Sequence, residues 1–294
     1  MLHIQGSIVA LVTPFNQDGT VNFSKLGELV DWHLASGTDA IVALGTTGES
    51  ATMTDEEDDA VCEYVLKRVA GRIPVIAGSG SNCTATMLAK SLRYQAMGAQ
   101  GLLIISPYYN KTNEEGMYRH FATVADAVNI PCILYNVPGR TGCSISENVV
   151  RRLAGHENIM GIKEASGNMS YATKIARYLN ENFVMYSGND DLIVPILSVG
   201  GSGVISVWAN IMPRETHDMV MAYLSGDTKA ALEAQLKYLE LINGLFLEVN
   251  PIPVKAALNM MGWEVGPCRM PLYEMSEGAA AKLRTALEKA GLVQ

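Results

Sequence analysis

Short apolar runs rich in β-branched residues alternate along the chain with amphipathic stretches, and turns join the two. The runs are Ser7–Val12, Ala40–Leu44, Pro74–Ala77, Gly101–Ile105, Cys132–Tyr135, Met160–Lys163, Phe183–Tyr186 and Gly203–Val207. They are continuous in hydrophobicity rather than alternating, the pattern of parallel strands covered on both faces. Between them, Phe23–Ala35 places Leu26, Leu29, Val30 and His33 on one helical face. Thr54–Ala70 opens on Thr54 with Glu57 three positions later, a capping box. Further helices are predicted over Thr84–Met97, Glu114–Val128, Glu147–Ala154, Tyr171–Leu179, Ile193–Ser198 and Glu215–Leu224. Eight strands alternating with eight helices predict a closed α/β barrel, a (β/α)₈ fold, over residues 1–224. An open doubly wound sheet usually has fewer strands and a glycine-rich first turn.

After Ser225 the strand pattern stops. Thr228–Leu247 reads as one long helix with Leu232, Leu236, Leu239 and Leu241 at its apolar positions, broken by Pro251 and Pro253. Val254–Met261 and Ser276–Leu292 follow. No Pro/Gly/Ser-rich linker precedes this segment, so residues 225–294 are expected to form a helical extension packed on the barrel.

Composition narrows the function classes. Lys+Arg 22 against Asp+Glu 30 gives a net charge of −8, with no basic run to serve nucleic acid. No stretch approaches the roughly 20 apolar residues of a membrane span, and Met1–Phe15 lacks the cationic start of a signal peptide. The five cysteines (Cys62, Cys83, Cys132, Cys143, Cys268) are odd in number, with no C-x-x-C pair. They read as buried thiols of a cytoplasmic protein. The histidines His3, His33, His120, His156 and His217 form no H-x-H or H-E-x-x-H pattern, so no metal site is expected. An acidic protein that handles an anionic substrate needs local positive charge, from one or two buried cations.

In a barrel the chemistry gathers at the C-terminal ends of the strands. Among eleven lysines, Lys163 alone sits within a strand-like run. Burial lowers a lysine's pKa, and a neutral amine attacks a ketone to form an imine. A lysine paired with a buried carboxylate, Glu164 or Asp190, is the other reading, and position alone leaves both open. One strand earlier, Tyr135 closes an apolar run beside it and Arg140 follows in a turn of Gly and Pro. A tyrosine there can relay protons, and a guanidinium fork suits a carboxylate. Gly45-Thr46-Thr47-Gly48-Glu49-Ser50 lacks the lysine and spacing of a phosphate loop, but offers two hydroxyls and backbone N–H groups to a carboxylate. Pro107-Tyr108-Tyr109-Asn110 puts an aromatic pair at the same rim. Gly78-Ser79-Gly80 lacks a dinucleotide fingerprint, and Gly200-Gly201-Ser202-Gly203 precedes the eighth strand, on the opposite face.

Taken in order, Gly45–Ser50, Pro107–Asn110, Tyr135–Gly142, Gly161–Ala165, Ser187–Asp190 and Asn250–Lys255 resemble the dihydrodipicolinate synthase family of the class I pyruvate-dependent aldolase/lyase superfamily. The resemblance runs from about Gly6 into the C-terminal helices. It implies condensation of pyruvate with L-aspartate 4-semialdehyde, the entry to diaminopimelate and lysine synthesis, with no cofactor. By that resemblance Lys163 forms the imine, and Tyr135 relays protons with Thr46 and with Tyr109 reaching in from a neighbouring subunit of a homotetramer. Thr47 would hold the pyruvate carboxylate, Arg140 the semialdehyde end, and Gly188 and Ile205 would line the lysine pocket. Ser50, Ala51, Asn82 and Tyr108 match a feedback site for lysine. Asp55 and Asp58, however, stand where lysine-inhibited relatives carry histidine, and Thr86 where they carry glutamate, which implies weak or absent feedback. N-acetylneuraminate lyases and sugar-acid aldolases share the lysine and tyrosine, but Arg140 and the Tyr108-Tyr109 pair favour the synthases. A non-catalytic binder of 2-oxo acids would be marked by loss of Lys163 or Tyr135, and both are present.

Overall fold

The computed structural model describes residues 4–294; His3 lies outside them. Eight parallel strands close in sequence order into one barrel: β1 (Gly6–Ala10), β2 (Ala40–Ala43), β3 (Val75–Gly78), β4 (Gly101–Ile105), β5 (Cys132–Asn136), β6 (Ile159–Glu164), β7 (Val184–Ser187) and β8 (Gly203–Ser206). Closure comes where Gly6 of β1 faces Gly203 of β8. A Cβ on Gly203 would sit 2.0 Å from the Gly6 carbonyl oxygen, so only glycine lets the first and last strands meet here.

Nearly every strand position is buried, and alternate residues serve two separate cores. Ile8, Val42, Ile76, Leu103, Ile133 and Ile205 point inward and fill the barrel, with Tyr135 and Tyr186 packed among them. The intervening residues, such as Val9, Ile41, Leu134 and Ile162, pack outward against the helices. This division explains why the strands read as unbroken apolar runs. It also fixes which residues face the interior at each strand end. Ile133 pairs with Gly161 and Tyr135 with Lys163, so Lys163 shares the inward face with Tyr135. A register irregularity between Cys132 and Ile133 sets that phase.

The helices Phe23–Ala35 and Thr84–Met97 match their predicted bounds, and the Thr54/Glu57 capping box is present on Asp55–Val69. Four strands, β3, β5, β6 and β7, end one residue beyond their apolar patterns. Asn136 ends β5 and Glu164 ends β6, both buried. Their polar groups are satisfied by each other, Asn136 Nδ2 donating to Glu164 Oε2 at 2.7 Å, and by the Ile145 and Ser166 backbone N–H groups.

The segment beyond Ser225 departs from expectation in its helix ends and its facing. The first helix stops at Gly244 rather than Leu247, and Pro253 lies in the first turn of the helix Ile252–Met260 instead of before it. The helix Thr228–Gly244 buries Ala231, Gln235, Leu241 and Ile242, whereas Leu232 and Leu236 are exposed. Gln235 decides the facing: its Nε2 donates to the Asp190 carbonyl at 3.0 Å and its Oε1 accepts from the Val194 N–H. The helices Ile252–Met260 and Glu277–Lys289 complete the chain and pack together. The cysteines also differ from a uniform buried set. All five are free, Cys62 and Cys132 are buried, and Cys83 is exposed because it sits on the loop that starts the helix Thr84–Met97. Among the described residues, no helix is long and apolar enough to cross a membrane.

Candidate active site

The site is built at the C-terminal ends of the strands, where the inward-facing pattern turns from apolar to polar. Lys163 is 5% exposed, and its ammonium nitrogen stands 4.5 Å from the centre of the Tyr135 ring. Burial pulls its pKa from 10.5 down to about 8; the Asp190 carboxylate pulls upward against this, and the Arg140 charge adds to the fall.

Neither carboxylate considered as an ion-pair partner takes that role. Glu164 turns away, with Oε1 accepting from the Ser166 N–H and Oε2 from Asn136. Asp190 uses Oδ2 to accept the N–H groups of Val207 and Trp208 at 3.0 and 2.9 Å. It therefore acts on Lys163 through its field rather than through contact, and holds the start of the segment after β8.

The pocket around the lysine is tight. A Cβ on Gly188 would lie 3.1 Å from Lys163 Cε and 2.6 Å from the Ala165 methyl, so the chain after β7 passes directly over the lysine stem. Ile205 of β8 is fully buried on the inward face. Tyr135, 7% exposed, has its pKa raised by burial, opposed by the Arg140 charge and by the Thr46 hydroxyl beside it. Thr46 and Thr47 follow β2 in a loop in which both Leu44 and Glu49 have positive φ, 60° and 57°. Thr47 is buried and its Oγ1 accepts from Asn250 Nδ2 at 2.9 Å. Arg140 lies in the short turn Pro138–Thr141 and donates from Nη2 to the Asn250 carbonyl at 2.8 Å.

The structure thus brings Lys163, Tyr135, Thr46, Thr47, Arg140, Gly188 and Ile205 to one barrel mouth. Tyr109 is apart from them: its side chain is 91% exposed, on a backbone with φ +68°. Ser50, Ala51, Asn82 and Tyr108 lie on neighbouring rim segments. There Ser50 Oγ donates to the buried Asp58, and Asn110 Nδ2 donates to the Asn82 carbonyl. Asp58 and Asp55 both pair with Lys90, and Asp55 also faces Arg93.

Three participants had no role in the sequence reading: Asn250, Glu49 and Lys255. Asn250 joins Thr47 to Arg140 across more than a hundred residues of chain, a contact no spacing reveals. Lys255 is a second buried lysine, 1% exposed. Its apolar surroundings, Ile252 to Leu258, are the only mark of that burial in the sequence.

A closed parallel barrel with an unpaired buried lysine at its mouth, a tyrosine against it and an arginine above defines the class I aldolase type of lyase. Comparison with known proteins is specific: residues 3–290 match the Dihydrodipicolinate synthetase family, and the chain belongs to that family. It is 53% identical over 288 residues to a 4-hydroxy-tetrahydrodipicolinate synthase of Caldicellulosiruptor bescii, covering 98% of this chain and 97% of the relative. The Thermoanaerobacter sp. protein of the same name is 51% identical over 291 residues, covering 99% and 98%. Among solved structures, the chloride-inhibited dihydrodipicolinate synthase of Acinetobacter baumannii in complex with pyruvate superposes with a TM-score of 0.96 at 42% identity, over 99% of this chain and all of that one.

Proposed function

We propose that this chain condenses pyruvate with L-aspartate 4-semialdehyde through an imine on Lys163, as a 4-hydroxy-tetrahydrodipicolinate synthase. The observation that carries this reading is Lys163 itself, buried without an ion-pair partner and with its pKa drawn down to about 8. At neutral pH roughly a tenth of such amines are unprotonated, against well under a thousandth at the ordinary value. The neutral amine attacks the ketone carbon of pyruvate. Tyr135, with Thr46, carries protons from the amine to the departing hydroxyl, and water leaves. Loss of a methyl proton gives the enamine, whose carbon attacks the aldehyde of the second substrate. The amine of the semialdehyde then closes the ring and displaces Lys163, returning it neutral.

The remaining residues fit substrate placement. Thr47 offers its hydroxyl and backbone to the pyruvate carboxylate, Arg140 its guanidinium to the semialdehyde carboxylate, and Gly188 and Ile205 shape the space about the imine. Arg140 at the mouth is the local positive charge that an anionic substrate requires of an acidic protein. No cofactor enters this scheme. Residues 1–224 are the catalytic barrel in this reading, and residues 225–294 an extension that completes its mouth. The free thiols support a reducing, cytoplasmic setting. Incubation with pyruvate and borohydride, followed by intact mass and peptide mapping, tests the proposal. A pyruvate-derived adduct on Lys163 is expected; a folded protein that gives no adduct refutes the imine.

The outward-held Tyr109 supports a shared site in which it reaches a neighbouring subunit of a homotetramer. Tyr109→Phe is then expected to lower turnover at least tenfold, the scale of a lost proton-relay group, while leaving the circular dichroism and thermal transition unchanged. Turnover equal to wild type would remove the shared-site reading. Feedback by lysine is expected to be weak. Thr86 cannot supply a carboxylate to the ligand's ammonium, and Asp55 and Asp58 already serve Lys90 and Arg93. Initial rates measured across a lysine titration should stay flat to millimolar concentrations; strong sub-millimolar inhibition contradicts the reading.

A further inference from the structure

The loop that carries Thr46 and Thr47 ends on a charge. Glu49 follows Thr47 by two residues, and its side chain is fully buried beneath the mouth. Oε1 accepts from Lys255 Nζ at 2.8 Å and Oε2 from the Arg269 N–H at 2.9 Å. Lys255 is as deeply buried, and spends its other two donors on the Thr13 and Pro267 carbonyls at 3.0 and 2.6 Å, with the Phe15 ring 4.3 Å away. Thr13 in turn donates from Oγ1 to the Gly48 carbonyl at 2.7 Å. The loop is therefore gripped just after Thr47, at Gly48 and Glu49, by groups that converge on one ammonium.

Stability alone gives little reason for this arrangement, because a buried ion pair can often be exchanged for apolar residues of similar volume without loss. Geometry gives a stronger one. Leu44 and Glu49 bracket the two threonines, and both adopt left-handed backbone that side chains other than glycine rarely hold. Such a conformation persists where its surroundings over-determine it. The helix that bears Lys255 also begins beside Asn250, which grips Thr47 through its side chain and Arg140 through its carbonyl. One helix of the C-terminal extension thus reaches Thr47, the loop end and Arg140 together.

We infer that the Glu49–Lys255 pair is a positioning device for the threonine loop, setting the height of Thr46 and Thr47 against Lys163 from the C-terminal extension. The inference rests on the imine reading of Lys163. The pair touches neither substrate in this scheme; it acts through Thr47, which binds pyruvate, and Thr46, which passes the proton.

The test compares wild-type protein with the double variant Glu49→Leu/Lys255→Met, which removes both charges together and leaves neither stranded. Thermal midpoint, pyruvate KM, kcat and the pH midpoint of borohydride trapping are read for each. The double variant is expected to fold with a lowered thermal midpoint, because the Arg269 N–H and the Thr13 and Pro267 carbonyls lose their partners. It should trap with an unchanged pH midpoint, since Asp190 and the burial of Lys163 are untouched. Its pyruvate KM should rise about tenfold or more, the scale at which small misplacements of binding groups act. A folded double variant with wild-type KM and kcat overturns the inference. Should the double variant not fold, Glu49→Gln decides instead, since its amide keeps one acceptor for Lys255 and loses the other. A raised pyruvate KM supports the inference, and an unchanged one overturns it. Wild-type protein that fails to trap pyruvate would remove the imine reading itself, and with it the positioning role. Trapping by wild type with indifferent variants removes only the positioning role.

Discussion

Replacing Lys163 by methionine is expected to abolish the borohydride-trappable adduct and, in the same variant, to make the folded protein more stable at neutral pH. The first effect follows from loss of the nucleophile, for which nothing else at the mouth substitutes. The second follows from the direction of the pKa change. Lys163 falls from 10.5 unfolded to about 8 folded because burial penalises the ammonium. Below pH 8 both states hold the proton, and the folded state bears the whole penalty, about 3 kcal/mol by proton linkage. As pH rises from 8 toward 10.5 the folded state releases its proton first, and the penalty disappears. Methionine has similar length and no charge to bury, so the variant's advantage should be largest below pH 8 and fade by about pH 10.5. Urea unfolding of both proteins at neutral and alkaline pH measures the gap. A gap of opposite sign, or one indifferent to pH, would mean that Lys163 is solvated or paired in the folded protein.

Tyr135→Phe is expected to cut kcat/KM for pyruvate by about 10²- to 10⁴-fold, the usual worth of a positioned proton-transfer group. The fold should survive, because the ring remains in the inner core and only a hydroxyl beside Thr46 is lost. The effect should fall on kcat more than on pyruvate KM, since the group proposed to hold the carboxylate is Thr47, which the substitution leaves in place. Single-turnover trapping separates the two: imine formation should slow while its final extent stays near wild type. Near-normal rates in a folded variant would assign the proton relay to another group.

The fold was legible because its signal is repetitive. Eight buried strands sit at intervals too regular for an open sheet, and burial on both faces leaves each run without an alternating pattern to misread. Strand ends were less legible. Asn136 and Glu164 look like the start of a turn until their mutual hydrogen bond is seen. Lys163 stood out because a charged residue inside an apolar run has few reasons to be there. Tyr135 and Arg140 became readable through their neighbours in the barrel order. The burial of Lys255 was not legible, because lysines on helices are common and their burial depends on what packs over them. Leu232 and Leu236 misled for the same reason. The inward face of their helix was chosen by the hydrogen bonds of Gln235, and no hydropathy pattern encodes those.

The grip of the last helices on the first loops has a consequence in time as well as in space. The bonds that finish the mouth join residues separated by 203 positions (Asn250 to Thr47), 206 (Lys255 to Glu49) and 242 (Lys255 to Thr13). A chain emerging from the ribosome can pair its early strands long before Asn250 and Lys255 exist. Closure of the barrel must itself wait for β8, and the threonine loop is gripped only after that. Contacts of such separation are slow to form, because the closure entropy of the intervening chain is spent before they return anything. A nascent or truncated chain ending before residue 250 therefore holds Lys163 without the contacts that fix the threonine loop. On the function proposed above, a chain cut before Asn250 is then expected to bind pyruvate poorly even with its barrel strands in place.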